Sequence, residues 1–311
     1  MDNQIEAWRV EQFTANVYQL SQQKGSRLAS RCRNEAFKGK AEFFDRLGLA
    51  TAQPKQGRNS ETPNLDLDHS RRMLTTVMYE WATLVDRKDK LQNIHDPESQ
   101  YSIAARNALG RTMDDIIINA ALGTARTLED GSGSQILPLS QKLAAVSAGT
   151  ISKLNIGAML AAKQKLDAAE AEGPRNFVTN ASGLQSLLSQ TQVTSADYNS
   201  VRALVNGELD TFLGFKIIRS ERLVLSSVYS NLFLYDPVTG LYNAGGTALA
   251  GNEVSSFAFV GDGIIFGQTE GMMARIDQRS DKSYDWQVYC SMDHGAVRME
   301  EVKVVEVICS P

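Results

Sequence analysis

Residues 96–123 read Asp96-Pro-Glu-Ser-Gln-Tyr-Ser-Ile-Ala-Ala-Arg-Asn-Ala-Leu-Gly-Arg-Thr-Met-Asp-Asp-Ile-Ile-Ile-Asn-Ala-Ala-Leu-Gly123, a stretch with a helix-start signal, a helix-stop signal and an apolar stripe. Asp96 can cap the first free amides, Pro97 suits the first helical position, and Gly123 can adopt the left-handed conformation that ends a helix. Six apolar residues recur at three- and four-residue spacing: Ala105, Leu109, Met113, Ile116, Ile117 and Ala120. The sequence therefore predicts a helix over 97–122, about 40 Å long, across which later strands can pack.

Length, charge and cysteine content exclude several classes of protein. The chain has 311 residues, 42% of them hydrophobic, which is enough for one or two real cores. Its net charge of -4 argues against a dedicated nucleic-acid binder. The three cysteines, Cys32, Cys290 and Cys309, match no zinc or CxxC spacing and predict a reduced compartment without a structural disulfide. No signal peptide or membrane span is visible, so we expect synthesis in the cytoplasm and no membrane partner.

The first 85 residues predict two parts that cannot form a core of their own. Residues 4–31 carry a thin helical stripe within a polar segment, which indicates an arm that lies on another surface. Residues 24–58 are biased towards positive charge, typical of a solvated or partner-facing segment. Two strand-like runs, 41–52 and 67–85, flank a polar tip at 53–64 and predict a long hairpin. The second run is partly apolar on both faces, which indicates packing against other subunits.

The remaining sequence predicts a compact α+β unit followed by long strands. A helix from Lys153 to Ala171, capped by Thr150 or Ser152, opens the unit after a compositional change at Gly149. Further predicted elements are a strand-like run at 141–146, a strand at 176–179, helices at 182–190 and 195–205, strand-like runs at 209–220, 223–234 and 257–266, and tail strands at 273–278, 284–293 and 296–307. We expect the tail strands to pack on the 97–122 helix.

The chain lacks the residue patterns that usually carry catalysis. Its three histidines, His69, His95 and His294, stand apart from any cluster of cysteines or acids. The acid pairs Asp114-Asp115 and Glu300-Glu301 are adjacent in sequence, so their side chains diverge and form no acid/base couple. There is no Gly-x-Ser-x-Gly, Walker or Rossmann motif. The sequence therefore assigns no catalytic, cofactor-binding or metal-binding residue, and no cofactor.

The order of these parts, a basic arm, a hairpin, a long helix, an α+β insert and late strands, resembles that of the major capsid proteins of tailed bacteriophages. The likeness extends to four stretches: Leu209 to Ser220 after the Asn206-Gly207 turn, Phe257 to Gly267 followed by Met273-Ala-Arg-Ile276, the strand from Arg71-Arg72 to Trp81, and the helix from Ala104 to Leu122. The resemblance implies an α+β fold of the Hong Kong 97-like type. It also implies a non-enzymatic virion protein, assembled in the host cytoplasm into hexamers and pentamers of an icosahedral head that encloses double-stranded DNA.

The same resemblance implies a division of the chain and a set of partners. The parts are an N-terminal arm (1–40), an extended β-hairpin loop (41–86), a peripheral domain with the spine helix 97–122 (87–150), an axial domain (151–271) and peripheral C-terminal strands (272–311). Because no long segment precedes the arm, we expect a separate scaffolding protein. A portal is also expected, and whether a decoration protein is present is left open. Packaged DNA would meet the inner face without sequence specificity. Lys55, the only lysine of the tip, is assigned no cross-linking role.

Three alternatives to a phage shell remain at this point. A nanocompartment shell shares the fold but holds enzyme cargo in place of a genome. An enzyme built on residues 152–271 would need convergent polar groups with shifted pKa values. A single-stranded nucleic-acid binder would use Phe37, Phe43 and Phe44 among Lys38, Lys40 and Arg46.

Overall fold

The computed structural model describes residues 22–55, 57–58, 65–85, 97–147, 150–190, 211–223, 234–236, 241–243 and 253–310. The chain divides into two compact units. The first consists of Met1–Gly25, Met78–Arg111 and Met272–Met292, and the second of Ser26–Val77, Thr112–Gly271 and Asp293–Pro311. Several predictions lie wholly or largely outside the described residues: the arm before residue 22, the cap at Asp96, His95, most of the hairpin tip, the helix at 195–205 and the run at 223–234.

Within the described ranges the helices are α1 (Pro97–Leu122), α2 (Ile156–Ala168) and α3 (Ala181–Leu188). The strands are β1 (Arg33–Ala36), β2 (Ala41–Leu47), β3 (His69–Thr75), β4 (Val77–Val85), β5 (Ala125–Thr127), β6 (Gly133–Gln135), β7 (Lys142–Ala144), β8 (Val146–Ser147), β9 (Thr150–Ile151), β10 (Arg175–Thr179), β11 (Thr211–Phe212), β12 (Phe215–Arg219), β13 (Leu234–Asp236), β14 (Leu241–Asn243), β15 (Val254–Val260), β16 (Ile264–Arg279), β17 (Asp285–Arg298) and β18 (Val304–Cys309).

The predicted long helix is present as α1, which starts at Pro97 and ends at Leu122. Its buried stripe is rotated from the predicted one near the C-terminal end. Ile118, Ala121 and Leu122 are buried there, whereas Ile116 and Ala120 are only half-buried. The residues that pack inward are therefore those that face the late strands β15, β16 and β18, through Phe257, Phe259, Ile264, Phe266 and Val304. Of the tail strands predicted to pack on this helix, the second unit shows only the 296–307 run there, through Val304, and the other contacts come from the earlier 257–266 run.

The helix stops where predicted, at Leu122 directly before Gly123, but the left-handed conformation predicted for Gly123 is wrong. Gly123 is not among the described glycines with a positive φ, so α1 does not end in a left-handed glycine. The guanidinium of Arg298 instead donates hydrogen bonds to the carbonyl oxygens of Ala121 and Gly123, both at 2.8 Å. A buried cation at the C-terminal end of a helix satisfies the free carbonyls and complements the negative end of the helix dipole.

The centre of the second unit is a six-stranded sheet in the order β11-β12-β10-β15-β18-β7. The sheet pairs β18 antiparallel with β15 and parallel with β7, so it includes strands from outside residues 151–271. Helices α2 and α3 contribute Met159, Leu166 and Leu187 to one buried cluster beside the sheet. The predicted run 209–220 is in fact a tight hairpin, because Leu213 and Gly214 both have positive φ between β11 and β12.

Helix α2 begins at Ile156, three residues later than its predicted start at Lys153, and neither Thr150 nor Ser152 is its cap. Asn155 is the N-cap, and its side-chain oxygen accepts a hydrogen bond from the amide of Ala158 at 2.7 Å. The hydroxyl of Ser152 donates to the carbonyl oxygen of Ala145 at 3.2 Å and so belongs to the preceding turn. An amide side chain in the N-cap position satisfies one of the free amides of the first turn.

The predicted hairpin is confirmed between β2 and β3, which pair antiparallel from Ala41 opposite Thr75 to Leu47 opposite His69. The second predicted run is not one strand, because Thr76 separates β3 from β4. Strand β3 continues into a sheet with β5 and β6, while β4 is a neighbour of β17 in a different sheet. One face of the hairpin is also covered by its own chain, since Phe44 and Leu74 pack with Ile265 and Val297.

Candidate assembly surfaces

The most exposed apolar side chains near the hairpin form a set that we call the hairpin patch. It consists of Phe43 and Leu47 on β2, Leu49 after it, and Leu65 and Leu67 before β3. Leu47 is 66% exposed and Leu49 is 92% exposed. A group of large apolar side chains left in water on a protruding segment marks a protein interaction surface. The patch is therefore the first candidate surface for assembly.

The opposite face of the hairpin is held by a partly buried ion cluster, which we call the Glu301 cluster. Arg72 on β3 donates a hydrogen bond to the Glu301 carboxylate, and Arg46 on β2 lies 3.5 Å from the same group. Arg46 also donates to the carbonyl oxygen of Met299. Arg298 approaches the carboxylate at 3.9 Å. One acid thus joins a residue from each hairpin strand to the segment between β17 and β18.

Burial lowers the pKa values of two arginines in this cluster. Desolvation lowers the pKa of Arg298 to about 10, and the nearby Glu301 only partly offsets this effect. Desolvation also lowers the pKa of Arg72, against the opposing influence of Glu301. Three guanidinium groups therefore share one carboxylate. An ionic group buried in this way destabilises the fold strongly if its partner is removed.

A second anchor fixes the chain where the described part of the arm begins. The buried carboxylate of Asp114, on α1, accepts hydrogen bonds from the Ser26 hydroxyl at 2.5 Å and from the amides of Arg27 and Leu28 at 3.1 Å. The neighbouring Asp115 points elsewhere and pairs with Arg222. The two adjacent acids diverge, as predicted, and each has a structural partner.

A shallow cleft of about 340 Å³ lies on the exposed side of β3. Its lining includes Asp45, His69, Arg71 and Glu129. Arg71 bonds the Asp45 carboxylate at 2.5 Å and lies 5.5 Å from the ring centre of Phe43. The hydrogen bond between the two side chains lowers the pKa of Asp45 and raises that of Arg71. The cleft thus contains an ion pair stacked on an aromatic residue of the hairpin patch.

The other residues singled out by the sequence are dispersed. His294 is buried and stacks on Phe266 with ring centres 5.1 Å apart. Glu300 pairs with Lys303, on a different side from Glu301. Lys55 is exposed. In the described ranges no three His, Cys, Asp or Glu side chains are placed to hold a metal ion.

The cysteines and the helices give two further observations. All three cysteines are free and buried, and burial raises the pKa of Cys32 to about 12. No described helix has the length and apolar character needed to cross a membrane.

The two buried cations Arg72 and Arg298 could not be recognised from the sequence. Arg72 and Arg298 each stand in a strand-like segment next to a methionine, a context that an exposed arginine shares. Only the approach of Glu301 and the end of α1 gives these residues partners, and those contacts span large distances along the chain.

Comparison with known proteins gives a consistent result. A family model described as "Phage capsid protein" matches residues 5–311. A search of curated proteins finds no match. Among solved structures, the capsid of cyanophage P-SCSP1u is 16% identical, with 100% of this chain and 95% of that chain covered and a TM-score of 0.74.

Two other solved structures are similar over nearly their whole length. The capsid of Ralstonia phage GP4 is 10% identical, covers 97% of this chain and 95% of that chain, and has a TM-score of 0.70. The head structure of Helicobacter pylori bacteriophage KHP40 is 10% identical, covers 99% of this chain and 98% of that chain, and has a TM-score of 0.68. At these identities the likeness shows the fold, and the α+β, Hong Kong 97-like architecture predicted from the sequence is confirmed.

Proposed function

This chain belongs to the phage capsid protein family, and from that premise we propose that its copies form the hexamers and pentamers of an icosahedral head around double-stranded DNA. As a major capsid protein it is a structural component of the virion. Its function depends on shape, because each copy must hold its contact surfaces in fixed positions for the neighbouring copies. We assign no catalytic step to any of its residues.

The observation that carries this proposal is the hairpin patch. Full burial of one exposed leucine or phenylalanine side chain is worth about 1.5–3 kcal/mol, and the five partly exposed side chains of the patch offer on the order of 4–8 kcal/mol before the costs of association are subtracted. A single copy leaves this free energy unused, since Leu49 is 92% exposed. Many copies, each covering the patch of another, would recover it.

The Glu301 cluster supports the same function from the other face of the hairpin. It attaches both strands to the body through Arg46 and Arg72. A surface that must meet a neighbour at a defined angle benefits from a rigid base, because ordering a loose loop on assembly costs conformational entropy. The base of the hairpin is therefore pre-organised, and its patch is left for a second copy.

The division of the chain into arm, extended loop, spine, axial and peripheral parts belongs to this proposal. Exposed Lys38 and Lys40, between β1 and β2, lie in the basic stretch 24–58 and would contact packaged phosphates without sequence specificity. A separate scaffolding protein and a portal would complete the head, and assembly would take place in the host cytoplasm.

Particle formation tests the proposal. The chain is co-expressed with the scaffolding protein of its own phage, and the products are separated by sedimentation and viewed by negative-stain electron microscopy. We expect isometric shells from the native chain. Leu49→Asp should reduce their yield strongly, whereas Leu49→Met keeps the apolar volume and should assemble as the native chain does. A native chain that stays monomeric would refute the proposal, and DNA-free shells filled with a partner enzyme would favour a nanocompartment.

A further inference from the structure

A second surface, in the first unit, has the features of a contact between copies. A groove of about 700 Å³ runs over the strands β4, β17 and β16, which are neighbours in one sheet. We call the side chains along it the sheet face. Those that matter here are Glu80 on β4, Tyr289 and Ser291 on β17, and Met273, Arg275 and Asp277 on β16. None of them belongs to the hairpin patch or the Glu301 cluster.

The groove contains a polar group without a partner. Ser291 is fully buried, and within the described residues its hydroxyl has no hydrogen-bond partner. A buried hydroxyl that makes no hydrogen bond is unfavourable, and most such groups in folded proteins are satisfied. Ser291 is among the residues that line the groove, but its side chain is closed to solvent in a single copy. What another molecule can reach on the sheet face is its exposed charged side chains.

The charges on the sheet face indicate what that molecule is. Exposed Arg275 and Asp277 lie two residues apart on one face of β16, and neither forms an ion pair with another described side chain. Arg279 is already paired with Asp281, and Glu80 accepts a hydrogen bond from Tyr289 at 3.1 Å. A hydrogen bond from a neutral hydroxyl does not neutralise a carboxylate, so the face has two acids for one unpaired base and no positive excess, whereas a nucleic-acid surface carries a clear one. A face that presents a base and an acid in this way is complementary to a copy of itself turned by 180°.

We propose that the sheet face binds the same face of a second copy across a two-fold axis, with Arg275 of each copy against Asp277 of the other. A two-fold contact is self-complementary, so each ion pair occurs twice. This inference rests on the proposed function, because a shell supplies the many copies that can meet in pairs.

Charge reversal tests the contact directly. Arg275→Asp places two acids opposite each other at both ends of the contact, and Asp277→Arg places two bases there. Each single variant should lower the yield of shells about tenfold or more. The double variant Arg275→Asp/Asp277→Arg restores opposite charges within its own pairs and should assemble. An equal mixture of the two single variants should also assemble, because every copy has one two-fold partner and can pair with the other variant.

The possible outcomes distinguish a failure of the proposed two-fold contact from a failure of the proposed function. All variants are exposed-site changes, and circular dichroism confirms that each is folded. If the native chain and both single variants form shells equally well, the contact is wrong and the proposed function stands. If the single variants fail but neither their mixture nor the double variant recovers, the two-fold pairing is also wrong. If the native chain forms no shells, the proposed function fails before the contact is tested.

Discussion

Replacing Arg298 by methionine should destabilise the folded chain severely. The guanidinium donates hydrogen bonds to the carbonyl oxygens of Ala121 and Gly123 at 2.8 Å and of Gln135 at 3.0 Å, and it lies near Glu301. Methionine fills much of the same volume but donates no hydrogen bond. The substitution therefore leaves the end of α1 and a nearby loop without the group that satisfies their carbonyls.

The magnitude follows from two opposing contributions. Each buried carbonyl left without a partner costs about 1–3 kcal/mol, which gives roughly 3–9 kcal/mol for three. Against this, the lowered pKa of Arg298, about 10, means that burial already disfavours its charge by roughly 3 kcal/mol, and methionine removes that penalty. The loss of a partner for Glu301 adds to the cost. We expect a net destabilisation of about 3–5 kcal/mol, as is typical when one member of a buried ionic group is removed.

Equilibrium unfolding in urea measures this loss on the purified subunit, with far-ultraviolet circular dichroism and tryptophan fluorescence as independent probes of two-state behaviour. Arg33→Met is the matched control, because Arg33 is exposed and pairs only with Glu35 on the same strand. That control should change the free energy of unfolding by less than about 1 kcal/mol. If Arg298→Met lies within about 1 kcal/mol of the native chain, the guanidinium does not hold the end of α1 and the reasoning fails.

Three further predictions concern other anchors of the fold. Asp114→Asn should lower the free energy of unfolding by about 1–3 kcal/mol, because two amides and a hydroxyl lose a charged acceptor, whereas Asp115→Asn should have a much smaller effect in the same urea titration. Burial lowers the pKa of His294 below 6.5, with a smaller opposing effect of the adjacent acid, so the unfolded chain binds this proton more readily; stability should be greatest above pH 6.5 and fall as the pH drops below it. His294→Gln should flatten that slope between pH 5 and pH 7 measured by urea midpoints, and an unchanged slope would contradict this assignment. Gly295→Ala should lower the melting temperature by several degrees, since the added methyl group would overlap the carbonyl oxygen of Thr75. A melting temperature equal to that of the native chain would show that β17 and β3 can move apart at this point without a loss of stability.

Both α1 and the hairpin could be predicted from the sequence, because each is specified by residues that lie close together along the chain. Pro97 restricts the backbone at the first helical position, and the helix starts there. The hairpin strands β2 and β3 were recognised from their composition and from the polar residues between them. Neither prediction needs any knowledge of distant residues, which is why a single sequence is enough.

The predictions that failed depend on contacts between distant parts of the chain. Gly123 stands where the helix stops, but its predicted left-handed conformation is absent, and the carbonyls at the end of α1 are satisfied by Arg298, some 175 residues later. The rotation of the buried stripe has the same origin, because Ile118 is buried by strands that come long after it. The break at Thr76 separates two strands that join different sheets, and sheet membership is a property of the whole fold. A sequence pattern shows whether a segment repeats with helical or strand periodicity. It does not show which distant residues will bury one face of that segment.

The two faces of the hairpin explain how one short element can serve both the fold and the assembly. Side chains alternate between faces along a strand, so Phe44 and Arg46 point towards the body while Phe43 and Leu47 point away from it. The inward set is tied down by the Glu301 cluster. A slip of one residue in the pairing of β2 with β3 would exchange the two sets. Phe44 and Arg46 would then face solvent, and Phe43 and Leu47 would face the body. The register that stabilises the single chain is therefore the same register that presents the hairpin patch to a neighbouring copy, and assembly competence follows from correct folding of the base.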